Sequence, residues 1–112
     1  MADKNYLKGE TPLLVLSLLS QEDKYGYQIV AELDKRSEHV FRLKEGTLYP
    51  ILHALENEGA VKAYEKQTES GRTRRYYQLT GKGRRRLAAE AKAWKHASRQ
   101  MEKVLVECGV EV

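Results

Sequence analysis

A mostly α-helical domain with one β-hairpin and a long terminal helix is the fold that the sequence predicts. Three segments with apolar residues at helical spacing occupy roughly the first half of the chain. Two strand-like runs around a polar turn follow them. The remainder carries one unbroken seam at heptad spacing. Three helices, a hairpin wing and a long C-terminal helix together make a winged helix-turn-helix.

At 112 residues the chain is one domain with room for a modest core, near the size at which dimerisation often completes it. The apolar run 13–19 is too short to span a membrane, and residues 1–10 lack the apolar region of a secretory signal. A cytoplasmic protein with no membrane partner is therefore expected. Cys108 is the only cysteine, so neither an internal disulfide nor a multi-cysteine zinc site can form. It is expected to pack as a small hydrophobe. The net charge of +4 is mild, but its distribution is uneven. Lys62, Lys66, Arg72, Arg74, Arg75, Lys82, Arg84, Arg85 and Arg86 face only Glu65 and Glu69 across that stretch. Such a segment is either an electrostatic footprint for a polyanion or a solvated charged surface.

The first helix is predicted over residues 8–20, with Pro12 near its start. Leu13, Leu14, Val15, Leu16, Leu18 and Leu19 make it apolar nearly all round, as a central buried helix is. Residues 21–24 read as a turn. A second helix, over about 25–37, buries Gly26, Ile29, Val30 and Leu33 and leaves Glu32, Asp34, Lys35 and Arg36 mostly solvated. Residues 39–43 read as extended or turn.

The third helix is expected to start with Thr47 as its N-cap and to bury Leu48, Ile51, Leu52 and Leu55. Pro50 then falls in the first turn, where a missing N–H costs little. Gly59 offers a left-handed residue to close the helix. The opposite face carries Gly46, Pro50, His53 and Asn57, flanked by Thr47 and Tyr49. Such a helix fits the major groove of DNA, and the stripe alone fits an ordinary core helix as well.

Residues 61–67 and 73–79 form the hairpin strands. Alternation sends Arg74 and Tyr76 to one face and Arg75 and Tyr77 to the other. Thr80 caps the last helix, which reaches about Glu107. Leu87, Ala91, Trp94, Ser98, Met101, Leu105 and Cys108 form its seam, weakened by Ala and Ser. At 1.5 Å per residue this helix spans about 40 Å, more than so small a domain covers. A subunit interface is the expectation, with an exposed helical tail as the alternative. Arg84, Arg85 and Arg86 are expected to solvate the start of this helix, where they oppose its dipole.

Several ordered pieces resemble PadR-type transcriptional regulators over roughly residues 7–105. They are Tyr25-Gly26-Tyr27 opening helix two, Glu45-Gly46-Thr47-Leu48-Tyr49-Pro50 opening helix three, and Leu55-Glu56 with Glu58-Gly59 closing it. Gly71-Arg72 and Tyr76-Tyr77, Leu79-Thr80 and Gly83 follow in order. The single terminal helix is similar to the short branch of that family.

The resemblance implies a homodimeric regulator of double-stranded DNA, usually a repressor released by a small ligand or stress signal. Residues 1–79 would form the DNA-binding unit and 80–112 the dimerisation helix. It implies Thr47, Tyr49 and Pro50 in the major groove and Arg72, Arg74 and Arg75 along phosphates or the minor groove. Tyr25 and Tyr27 match positions where the DNA backbone passes. Lys44 is expected to act on phosphate, and His53 either donates to a base or is solvated. The dimer contact would use Leu87, Ala91, Trp94, Ser98, Met101 and Leu105. In the multidrug-sensing branch a tryptophan similar to Trp94 stacks planar aromatic effectors, while Trp94 as a plain packing anchor stays open.

Catalysis is not expected. His39, His53 and His96 lie on different elements and form no metal-ligand motif, and no phosphate loop or nucleophile elbow occurs. No cofactor is expected. The competing reading is a winged-helix protein-interaction module without DNA binding.

Overall fold

The structure, a computed structural model, describes residues 9–112. Its elements are α1 (Thr11–Leu19), β1 (Lys24–Tyr25), α2 (Gly26–Arg36), α3 (Glu45–Asn57), β2 (Val61–Gln67), β3 (Thr73–Leu79) and α4 (Gly81–Glu107). The expected start of the first helix at residue 8 lies outside the described residues. Pro12 sits in the first turn of α1, where it displaces no intrahelical bond. Val15, Leu16, Leu18 and Leu19 are buried there.

Lys24 and Tyr25, expected to end a turn and open a helix, instead form a short strand. They pair with Tyr77 and Tyr76, giving an antiparallel sheet in the order β1-β3-β2. Two residues carry no periodicity, so only the partner strand reveals β1. Lys24 is buried on the core side, and its ammonium donates to Leu18 O at 3.0 Å with Glu32 at 3.7 Å. Burial of the charge is tolerated because these groups replace water.

Leu16, Leu19, Ile29, Leu33, Leu48, Leu52, Leu55, Val61, Tyr77 and Leu79 form one core between the helices and one face of the sheet. Each helical stripe reaches it, with Val30 and Ile51 half-buried at the margin. α3 corrects the expected cap. Lys44, not Thr47, is the N-cap residue, and the amides of Thr47 and Leu48 both donate to Lys44 O at 3.0 Å. Starting earlier adds hydrogen-bonded residues after nucleation, which outweighs the side-chain cap that Thr47 offers. Pro50 therefore lies inside the helix rather than in its first turn. Lacking an N–H, it offers no bond to the carbonyl of Gly46, four residues before it. Gly59 (φ +81°) closes α3: its amide donates to Glu56 O and that of Ala60 to Leu55 O. This pair of bonds satisfies carbonyls that a helix end otherwise leaves open.

Thr80 caps α4, its hydroxyl accepting from the Gly83 amide at 3.0 Å. Gly83 is buried against Ala60 and Leu79, and Leu87 packs on the core margin. Beyond these turns α4 leaves the body, giving extents of 56 × 30 × 21 Å. Its seam is largely uncovered within one protomer, with Trp94 50% and Met101 66% exposed. Arg86 is not merely solvating. It is half-buried and pairs with Glu58 at the end of α3 and with Glu90, tying the two helices together.

Candidate nucleic-acid interface

The starts of α2 and α3 and the base of the wing meet at one edge of the molecule. Tyr25, Tyr27, Tyr49, Arg74 and Arg75 line a hollow of about 250 Å³ there, together with Gly26, Glu45 and Thr73. Tyr49 and Glu45 are one helical turn apart on α3, and the Tyr49 hydroxyl donates to Glu45 Oε1 at 3.3 Å. Burial, then the Glu45 charge, raises the Tyr49 phenol above its ordinary pKa.

Tyr49 reaches this place because residue 26 has no side chain. A Cβ on Gly26 would stand 2.5 Å from the Tyr49 hydroxyl and 2.9 Å from its ring. Gly26→Ala is expected to expel the ring while costing the core about 1 kcal/mol or less, since only the far end of a side chain must move. The expected readout is a change in preferred DNA sequence with nearly unchanged thermal stability. Unchanged preference would mean that the ring's position does not matter.

The arginines divide as alternation predicts. Arg74 lies over the Tyr25 ring at 5.2 Å, and its buried Nε has no hydrogen-bond partner among the described residues. Arg75 turns to the other face, where it pairs with Glu56 at 3.1 Å and lies 6.0 Å from the Tyr77 ring. Tyr25 is half-buried beneath Arg74, while Tyr27 is 60% exposed. Lys44, Thr47, Pro50 and His53 stand exposed on α3, outside the hollow, and Arg72 is exposed at the wing turn. At Gly26 the sequence allows a close approach to the backbone without naming Tyr49 as the residue that makes it, and sequence reasoning missed Glu56 as the partner of Arg75. It also missed Glu45, although this exposed carboxylate follows directly from placing the helix start three residues earlier.

A second concavity, of about 630 Å³, runs between the start of α1 and the exposed part of α4. Trp94, Met101, Ala93 and Ala97 line it from α4, facing Pro12, Leu13 and Phe41. The seam residues Ser98, Trp94 and Met101 thus border both this groove and open solvent.

The model of the transcriptional regulator PadR-like family matches residues 15–89, from α1 into α4. The chain belongs to the PadR-like family. It is a transcriptional regulator with the PadR-like winged-helix fold, whose wing is the β2–β3 hairpin. An uncharacterised protein of Lysinibacillus sphaericus is 32% identical over 94 residues, covering 84% of this chain and 86% of its own. The transcriptional regulator Rv3488 of Mycobacterium tuberculosis is 31% identical over 98 residues, 88% of each chain. The crystal structure of a PadR-like transcriptional regulator from Bacillus cereus superposes with a TM-score of 0.81 at 30% identity. That match covers 91% of this chain and 97% of the other. PadR regulators bind DNA. Among the described residues no helix is long and apolar enough to cross a membrane.

Proposed function

We propose that this PadR-like regulator is a cytoplasmic, non-enzymatic repressor that binds a palindromic operator as a homodimer. The observation that carries the reading is the separation of two surfaces. The start of α3 and the base of the wing share one edge, while the uncovered seam of α4 lies on the arm that leaves the body. Residues 1–79 form the reading unit and residues 80–112 the dimerisation helix. Leu87, Ala91, Trp94, Ser98, Met101 and Leu105 meet their counterparts across a two-fold axis. Thr47, Tyr49, Pro50 and His53 read base edges and thymine methyls in the major groove. Lys44, Tyr25, Tyr27, Arg72, Arg74 and Arg75 hold the backbone, and Arg75 must exchange part of its Glu56 pair for phosphate. The groove beside Trp94 gives a planar aromatic effector an indole face to stack on. Such a ligand releases DNA if it binds better to a dimer with a different spacing of its reading helices.

Footprinting on genomic fragments tests the reading. Two protected half-sites centred about 34 Å apart, or a multiple of it, are expected. A lone asymmetric half-site held by a monomer would overturn it. On the same operator, Arg72→Ala and Arg74→Ala should each lower the slope of log K against log salt by about one unit. Tyr49→Ala should alter sequence preference more than the slope. Equal effects of all three substitutions on both quantities would refute the division between reading and holding.

A further inference from the structure

We propose that Asp23 is a positioning residue for the wing, whose carboxylate sets the angle at which the hairpin presents its basic residues. The proposal rests on the DNA-binding reading above and adds a residue outside the contact surface. Asp23 lies in the turn between α1 and β1, and its Oδ2 accepts from Tyr64 on β2 at 2.5 Å and from Gln78 on β3 at 3.3 Å. One carboxylate oxygen therefore fastens both strands of the wing to the helical body.

From that anchor a layer of rings continues across the outer face of the sheet. Tyr64 stacks on Tyr76 at 5.8 Å, and Tyr76 meets Tyr25 edge-on at 5.3 Å. Two basic groups rest on the layer, Lys66 over Tyr76 at 5.2 Å and Arg74 over Tyr25 at 5.2 Å. The strand pairing makes this contiguous, since Tyr64 and Tyr25 both lie opposite Tyr76. The cations sit on rings that reach Asp23 through Tyr64, the ring whose hydroxyl the carboxylate holds directly.

Leverage makes the anchor matter. Arg72 lies four residues beyond Tyr76, about 13 Å at 3.3 Å per residue, so a tilt of about 10° moves it about 2 Å. That displacement breaks a hydrogen bond to phosphate. The other face of the hairpin is tied to α3 by Arg75 and Glu56, whose side chains are 51% and 31% exposed. A solvated pair of that kind contributes little. The Asp23–Tyr64 bond is shorter and part-buried, and it is the first cause of a Tyr64 phenol pKa pushed up to about 12.

The test uses the full chain with Asp23→Ala, Tyr64→Phe and Asp23→Asn, which keeps an acceptor oxygen facing Tyr64. Amide exchange across residues 65–75 is measured without DNA, and binding to operator and unrelated duplexes is measured against salt. Asp23→Ala and Tyr64→Phe should speed exchange in the hairpin and weaken both duplexes roughly tenfold, the size of a lost hydrogen bond to a charged group. The salt slope should fall by about one to two units, and Asp23→Asn should recover most of each effect. Unchanged exchange with an unchanged slope, or a loss confined to the operator, would overturn the proposal. Tyr64→Phe removes only a hydroxyl and decides the matter if Asp23→Ala fails to fold. If the unaltered chain binds no duplex, the DNA-binding reading fails, and exchange alone still shows whether Asp23 holds the wing.

Discussion

Gly83→Ala is expected to destabilise the protein by about 3 kcal/mol, at the upper end of what overpacking usually costs. Glycine inside a helix normally gains up to about 1 kcal/mol when replaced by alanine, so the sign itself is the test. A Cβ at residue 83 would stand 2.1 Å from Ala60 O and 2.6 Å from Leu79 Cδ1. The carbonyl has little freedom to retreat, because it accepts from the Thr80 amide at 3.1 Å and has the Thr80 hydroxyl at 3.0 Å. Relief requires α4 to lift away from the β2–β3 base, which uncovers Leu79 and Leu87. Urea unfolding reads the loss directly as a lower midpoint. A variant as stable as the parent would show that helix and sheet do not approach so closely.

Met101→Glu should have the largest effect on binding. Met101 is 66% exposed within one protomer, so the substitution leaves the core intact. In the proposed dimer it brings two carboxylates to one apolar seam, where burying charge is costly. Sedimentation should show a monomer in place of a dimer. Operator affinity should fall about 10²- to 10⁴-fold, the gain that linking two half-site readers ordinarily supplies. Trp94→Ala tests the same seam by removing area instead of adding charge. A persistent dimer with undiminished binding in both variants would move the interface elsewhere on the chain.

What the sequence disclosed was whatever repeats at a fixed period. Leu48, Leu52 and Leu55 mark a buried helical face, Val61, Tyr77 and Leu79 a buried sheet face, and Thr80 a helix start, because each signal lies within a few neighbouring residues. Contacts between distant residues left no such trace. Asp23 looks like one more polar turn residue, yet its partners stand 41 and 55 positions away. The same holds for Glu56, which claims Arg75, and for Gly26, whose bare Cα makes room for Tyr49. Thr47 misled for a different reason. Its side chain suits a cap, but the choice of cap is a competition, and the extra turn begun at Lys44 wins. The hollow was legible in part of its membership, since Tyr25, Tyr27, Tyr49, Arg74 and Arg75 were expected at the interface and Gly26, Glu45 and Thr73 were not, and illegible in its geometry.

The junction around Thr80 has a mechanical consequence. Its hydroxyl donates to Gly59 O at 2.6 Å and accepts from the Gly83 amide, while its own amide donates to Ala60 O. The end of α3, the end of β3 and the start of α4 are thereby riveted at one point, with Arg86 bracing α4 against Glu58 a turn further on. From that pivot Trp94 lies about 20 Å along α4, and Glu45 about the same distance back along α3, at 1.5 Å per residue. The two helices are the arms of a see-saw with nearly equal lengths. For a rotation about an axis perpendicular to both, a shift of the indole returns at the first residue of the reading helix with about the same size. In such a rotation neither end moves without the other.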